Sequence, residues 1–115
     1  MNEIVYKICT RKEWSDAEDT GYFDGSAIDV ADGFIHFSTA DQVRETAAKH
    51  FADQADLVLV AVATEKLSGE LKWEPSRGGD LFPHLYDKLP VNAAVQVSDL
   101  PLSSDGGHQF PDSIE

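Results

Sequence analysis

The sequence is poor in cysteine and lacks any long apolar stretch. Its 115 residues include one cysteine, Cys9, so an internal disulfide is excluded and a reducing compartment such as the cytoplasm is expected. The longest apolar run, Leu57 to Ala63, has seven residues, far fewer than the ~20 that a membrane helix needs. The first residues contain neither a basic segment nor a long apolar one, so no signal peptide is expected.

Basic residues are also scarce. Nine lysines and arginines stand against 21 acidic residues, which gives a formal net charge of −12. A field of this sign repels phosphate backbones and anionic lipid, so general nucleic-acid binding and membrane docking are disfavoured. A small anionic ligand responds to its local pocket more than to the net charge, so the charge does not exclude it as a partner.

Several catalytic signatures are missing. The sequence has no glycine-rich dinucleotide or phosphate loop, no HExxH zinc motif, no cysteine pair and no GxSxG motif. Cys9 lies within an apolar run, where buried thiols are common, so we expect it to be inert. Histidines, carboxylates and aromatic residues are left as the candidates for chemistry.

The pattern of the residues that are present predicts an α+β fold with two short helices. Thr10 and Glu13 have the spacing of a capping box, which predicts a helix from Arg11 to about Glu18. A second helix is predicted after Ser38 or Thr39, and residues 22–30 are predicted to form an irregular connection. Strands are predicted over residues 4–9, 34–37, 57–63, 70–74, 81–86 and 93–98.

Most of the predicted strands follow the second helix and are joined by short connections. This order favours a split, mixed and mostly antiparallel sheet over a doubly wound parallel sheet. Residues 57–63 are the predicted central strand, and Pro83 places residues 81–86 at an edge or a strand start. Residues 1–102 are predicted as one domain, and residues 103–115 as a loosely ordered acidic tail. The predicted core comprises Trp14, Val43, Ala47, Phe51, Leu59 and Val97.

The first candidate site is the segment that leads into the second helix. His36 alternates away from Ile35 and Phe37, and Ser38 follows two residues later. A helix start offers free N–H groups, which suit a polar or anionic ligand group. The simpler interpretation is that His36 bonds a neighbouring carbonyl while Ser38 caps the helix.

Two further segments carry candidate residues. Trp73 could form a stacking wall, Glu74 could supply a carboxylate, and Arg77 beside two glycines could hold an anion. His84 and Tyr86 are spaced to project from one face of a strand. The alternatives are a core tryptophan, a solvated glutamate, and a half-buried edge at which the histidine and tyrosine bond the backbone.

Together, these motifs resemble the uncharacterised DUF952 family. The segments D-G-F-I-H-x-S at residues 32–38 and F-P-H-L-Y at residues 82–86 carry the likeness, which covers about residues 4–102. The resemblance implies an ADP-ribosyltransferase-like fold, which RNA 2′-phosphotransferases also use. Such enzymes bind NAD or an ADP-ribosylated intermediate between two small sheets. The paired arginines of the phosphotransferases have no evident counterpart in this sequence.

Three hypotheses about function follow. The resemblance implies transferase chemistry on NAD or ADP-ribose, with His36 and Ser38 on ribose hydroxyls and Arg77 on the pyrophosphate. Glu74 and His84 would then be catalytic, and a base would stack on Tyr22, Trp73 or Tyr86. The second hypothesis is a non-catalytic module that binds a small ligand or peptide in the same cleft. The third, a metal site of His36, His84 and either Glu74 or Asp80, ranks last because the spacing matches no metal motif.

Overall fold

The computed structural model describes residues 3–67, 70–75 and 79–111. These residues form three α-helices, α1 (Arg11–Thr20), α2 (Ala27–Asp32) and α3 (Ala40–His50). They also form eight strands: β1 (Ile4–Thr10), β2 (Tyr22–Phe23), β3 (Ile35–His36), β4 (Leu57–Ala63), β5 (Leu71–Pro75), β6 (Leu81–Leu85), β7 (Leu89–Pro90) and β8 (Ala94–Leu100).

The strands form three small sheets, with orders β1-β4-β8, β3-β6-β5 and β2-β7. Every pairing is antiparallel. The expected α+β class and mostly antiparallel sheets are therefore confirmed, and β4 is the central strand of its sheet, as its continuous apolar run predicts.

Both faces of the β1–β4 pair are buried, which explains the unbroken apolar run of β4. One face carries Val5, Cys9 and Val60 and packs against Trp14 of α1 and against residues of the two other sheets. The opposite face packs against α3. The residues of this second core are Tyr6, Ile8, Val43, Ala47, Leu57, Leu59 and Leu100.

The prediction of an irregular connection over residues 22–30 is wrong, because α2 begins at Ala27. The N–H of Ser26 donates to Asp29 Oδ2 at 2.9 Å, and Gly33 ends the helix with a φ of 88°. A helix of six residues spans fewer than two turns, so it is too short to display a helical period. The Ser-x-x-Asp spacing was the available signal, since the same arrangement correctly predicted α1 from Thr10.

Three other predictions need correction. Val97 is 43% exposed because it lies on β8, an edge strand. Phe51 is only half-buried because it follows the last residue of α3. Pro83 lies in β6, the central strand of its sheet. The carbonyl of Pro83 accepts a hydrogen bond from the N–H of Phe37 at 2.9 Å, so this side of Pro83 faces the chain just after the end of β3. Because β3 has ended there, the N–H that proline lacks removes little of the strand pairing.

Within the tail, residues 103–111 contact the rest of the chain. This segment folds back on the chain, where the N–H of Asp53 donates to the carbonyl of Gly106 at 2.9 Å. His108 Nε2 lies 2.8 Å from the carbonyl of Gln54, and Phe110 packs against the second core. In the part of the chain that the structure describes, no helix is long and apolar enough to span a membrane.

Candidate functional site

A cleft of about 560 Å³ opens along the free edge of β1, between α2 and α3. His36, Ser38 and His84 all line it, and the rings of the two histidines meet edge to face with centroids 5.3 Å apart. The two residues are opposite one another in the β3–β6 pair. The sequence prediction that His36 and His84 share one cleft is confirmed.

His36 is held at both ring nitrogens by carboxylates of α2. Nδ1 lies 2.6 Å from Asp29 Oδ1, and Nε2 lies 3.0 Å from Asp32 Oδ2. The N–H of His36 also donates to Asp29 Oδ1 at 3.1 Å. Both ring nitrogens therefore face protein carboxylates, which hold the imidazole of His36 in place as a wall of the cleft.

Asp29 is the centre of this arrangement, which we call the Asp29 cluster: Lys7, Asp29 and His36. Asp29 is only 1% exposed, and its Oδ2 lies 2.7 Å from the ammonium of Lys7. Burial alone would raise the pKa of Asp29. The hydrogen bond from His36 and the charge of Lys7 outweigh burial and hold that pKa far below its usual range.

A glycine makes room for the Asp29 cluster. Gly25 has a φ of 110°, and a Cβ built on it would lie 2.7 Å from the Cβ of Asp29. Any side chain at this position would be strained and would push against Asp29.

His84 belongs to a second arrangement, the Glu74 cluster, made of Glu74, His84 and Tyr86. Nδ1 of His84 lies 2.8 Å from Glu74 Oε1, and the hydroxyl of Tyr86 donates to the same oxygen at 2.7 Å. These hydrogen bonds, first that of Tyr86 and then that of His84, lower the pKa of Glu74 and keep it ionised. The bond to Glu74 also raises the pKa of Tyr86.

The carboxylate partner assigns the proton of His84 to Nδ1, which leaves Nε2 as the basic nitrogen of the neutral ring. No hydrogen bond to Nε2 is found within residues 3–67, 70–75 and 79–111. A carboxylate–imidazole pair with a free outer nitrogen is the arrangement that general acid–base catalysis uses.

Phe34 joins the two clusters. Its ring stacks on His84 with centroids 4.2 Å apart, and it lies 4.7 Å from the ring of His36 and 5.1 Å from that of Tyr86. An aromatic ring against one face of His84 limits the rotation of the imidazole, so Phe34 helps to fix the direction of Nε2.

The remaining predicted residues lie in different places. Ser38 lines the cleft, and its hydroxyl lies 3.1 Å from that of Thr46. It does not cap α3, since Thr39 is the N-cap residue. Tyr22 is on β2 and Trp73 is on the face of β5 opposite Glu74, and neither is among the described residues that line the cleft. Arg77 lies outside the described residues.

No group of three histidine, cysteine, aspartate or glutamate side chains among the described residues could hold a metal ion, and Asp80 is exposed. The suggested site of His36, His84 and Glu74 or Asp80 therefore has no support from the geometry. Cys9 is 1% exposed, and burial raises its pKa to about 12, which agrees with the expected inert thiol.

The sequence analysis missed Lys7, Asp29, Asp32 and Phe34. Lys7 interrupts an otherwise apolar strand, and a lysine that is buried needs an acidic partner. That signal was available, but among 21 acidic residues the sequence did not identify which one pairs with it.

Comparisons with known proteins establish the family and the fold. The model of the family described as "Protein of unknown function (DUF952)" matches residues 8–97. The crystal structure of protein CC0527 from Caulobacter crescentus is 52% identical, covers 96% of this chain and 97% of that chain, and has a TM-score of 0.91. The solution NMR structure of CC0527 is 52% identical, with coverages of 97% and 98% and a TM-score of 0.84. A search of the curated proteins finds no match.

Proposed function

Since the chain belongs to the DUF952 family, whose description assigns no activity, we propose a function from the geometry of its own cleft. The cleft binds a ribose-bearing ligand of the nucleotide type, such as NAD or ADP-ribose, and His84 transfers a proton there. The observation that carries this proposal is the Glu74–His84 pair, with Nε2 unbonded within the described chain, at a cleft of about 560 Å³. That volume lies within the usual range of small-molecule sites.

In ADP-ribosyl transfer, Nε2 of His84 takes the proton from an attacking hydroxyl of water or of an acceptor. The hydroxyl oxygen bonds to the C1′ carbon of the ribose, the bond from C1′ to the nicotinamide nitrogen breaks, and nicotinamide leaves with the electron pair. Glu74 is then a positioning residue, because its Oε1 holds both His84 and Tyr86 and because Glu74 is not among the described residues that line the cleft. His36 and Ser38 line the cleft and remain the candidates for contact with the ribose, His36 through the face of its ring and Ser38 through its hydroxyl, which Thr46 holds in place.

The ADP-ribosyltransferase-like fold is part of this proposal. In support, the β1-β4-β8 and β3-β6-β5 sheets both contribute residues to the cleft, among them Lys7 and His84. The cation for a diphosphate is proposed from the sequence alone, as Arg77. Lys7 is the one lysine or arginine among the described lining residues, and Asp29 already neutralises it. We also infer a cytoplasmic location from the single cysteine.

The test is the release of nicotinamide from NAD, measured by chromatography, for the unmodified protein and for His84→Gln. We expect the substitution to lower the rate by about 10²–10⁴-fold, the usual contribution of a general base. His108→Gln is the matched control and should retain the rate, because His108 does not line this cleft among the described residues. An unchanged rate in His84→Gln would contradict the proposal.

A non-catalytic binding module is the second candidate. It is favoured by the engagement of both ring nitrogens of His36 with carboxylates, so that His36 is not available as a second proton carrier beside His84. Thermal unfolding with ADP-ribose separates the two functions. A ligand at 100 times its dissociation constant adds about 2.7 kcal/mol of stability, so stabilisation without nicotinamide release would identify the binding module.

A further inference from the structure

The free edge of β1 presents one backbone position to the cleft. Tyr6 directs its N–H and C=O away from β4 and exchanges both hydrogen bonds with Ser38, at 2.7 and 2.9 Å. Because these directions alternate along a strand, the N–H and C=O of Ile8 point to the same side. Ile8 lines the cleft, and no partner for either group is found in the described part of the chain.

This opening is one residue long. Tyr6 is paired with Ser38 on one side of Ile8, and on the other side the N–H of Thr10 donates to Glu13 Oε1 at 2.8 Å. A peptide that adds as a strand needs several consecutive free positions along the edge. A single planar group with a neighbouring donor and acceptor fits the opening, whereas an added strand does not.

The surroundings favour a ring over a phosphate. Ile28, Phe51 and Phe82 line the same cleft. The ammonium of Lys7 is paired with Asp29 at 2.7 Å, so it is not available to neutralise a bound anion. A flat, uncharged and largely apolar group with one polar edge matches these walls.

We propose that the backbone N–H and C=O of Ile8 bind the donor–acceptor edge of an aromatic ring, such as a nucleobase or a ring carboxamide. The ring N or carbonyl oxygen of the ligand accepts from the N–H of Ile8, and its amine or amide N–H donates to the C=O. Buried backbone groups are rarely left unpaired, and Ile8 is only 5% exposed, so this position has a strong preference for a ligand that satisfies both groups. This inference deepens the proposed function, since it assigns the ring of that ligand to a place in the same cleft.

The first experiment follows backbone amide signals by NMR while single ligands are added. Adenine is compared with purine, which lacks the amine donor, and nicotinamide is compared with methyl nicotinate, which lacks the amide donor. We expect adenine or nicotinamide to shift the Ile8 amide signal downfield, and the analogue that lacks the exocyclic amine or the amide N–H to bind at least tenfold more weakly. A response within the adenine pair would identify a nucleobase as the bound group, and a response within the nicotinamide pair would identify a ring carboxamide.

The internal controls are the amides of Lys7 and Cys9, which face β4 and should move little. Three results would overturn the proposal: no binding by either ring at millimolar concentration, equal binding by the members of each pair, or shifts in the cleft that leave Ile8 unmoved.

The second experiment removes the N–H. Ile8→Pro deletes a donor that no described residue uses, at an edge position where proline is tolerated. Ile8→Ala is the matched control, because it trims the side chain and keeps the N–H. We expect tenfold or greater loss of ring affinity in Ile8→Pro and less than threefold loss in Ile8→Ala. Equal losses would overturn the backbone role, and if Ile8→Pro does not fold, the titration of the unmodified protein decides.

The two proposals can fail separately. Ring binding at Ile8 without release of nicotinamide from NAD would refute the proton-transfer function and leave the Ile8 site intact. Release of nicotinamide with no response at Ile8 to any of the rings would refute the Ile8 site and leave the proton-transfer function intact.

Discussion

The Asp29 cluster and the Glu74 cluster use the same chemical pair, a carboxylate and an imidazole, in opposite ways. Asp29 is fully buried and its two oxygens accept four hydrogen bonds, from Lys7, Ser26 and two groups of His36. Glu74 is partly exposed, and it leaves Nε2 of its histidine unbonded within the described chain. The first arrangement is built for stability. The second holds an imidazole in place and leaves it available for chemistry.

The largest expected effect that separates the two clusters is on folding. Asp29→Ala leaves the ammonium of Lys7 buried without a partner, and breaking a buried ion pair in this way costs about 3–5 kcal/mol. Urea unfolding measures the loss. Glu74→Ala is the matched control, and because Glu74 is partly exposed we expect only a small change in the unfolding midpoint. Equal losses in the two variants would show that Asp29 is not the structural member of the comparison.

Acid unfolding sharpens the comparison. The pKa of Asp29 is lowered in the folded state, so the unfolded chain binds the proton more tightly. The resulting stabilisation is present above the ordinary carboxyl pKa of about 4, and it is lost progressively as the pH falls from there toward the lower pKa of the folded state. Urea midpoints measured from pH 7 to pH 3 should therefore fall steeply for the unmodified protein.

Two isosteric variants separate the contributions of the two carboxylates to this loss of stability at low pH. Asp29→Asn should reduce the dependence of the urea midpoint on pH the most. Glu74→Gln should reduce it less, since the pKa of Glu74 is lowered by hydrogen bonds at a partly exposed site. A larger reduction of the pH dependence in Glu74→Gln than in Asp29→Asn would show that Glu74, and not Asp29, is the structural carboxylate.

The smallest expected effect comes from Phe34, which contacts both clusters. Phe34→Leu removes ring contacts to His36 and His84, and we expect a loss of about 1 kcal/mol, the usual value of an aromatic pair. It should also shift the ring proton signals of both histidines in NMR spectra. Tyr86→Phe keeps a ring beside Phe34 and should leave the His36 signals in place. A shift of His84 alone in Phe34→Leu would mean that Phe34 does not join the clusters.

The sequence was sufficient for the elements that carry a strong local pattern. The seven-residue apolar run predicted β4, the capping residue Thr10 predicted the start of α1, and the alternatives Ser38 and Thr39 predicted the start of α3. Strand alternation also placed His84 and Tyr86 on one face, where both now contact Glu74. Each of these signals lies within a few residues, so no knowledge of tertiary contacts was needed.

The parts that could not be predicted depend on contacts between distant residues. Lys7 and Asp29 are 22 positions apart, and neither has a local pattern that identifies its partner. Trp73 and Glu74 alternate along β5 and so lie on opposite faces, but only the pairing of β5 with β6 decides that the Glu74 face is the one that meets His84 and Tyr86. Pro83 violates the preference of proline for strand edges because its neighbour β3 is only two residues long, a length that the sequence did not reveal.

The buried thiol of Cys9 gives this protein a built-in reporter of strand opening. At 1% exposure and a pKa of about 12, it is both unreachable and un-ionised in the native state. A disulfide reagent can therefore modify Cys9 only after β1 has separated from its surroundings. The labelling rate in native buffer would thus measure the free energy of that separation at the strand that also carries Lys7 and Ile8, without any added probe.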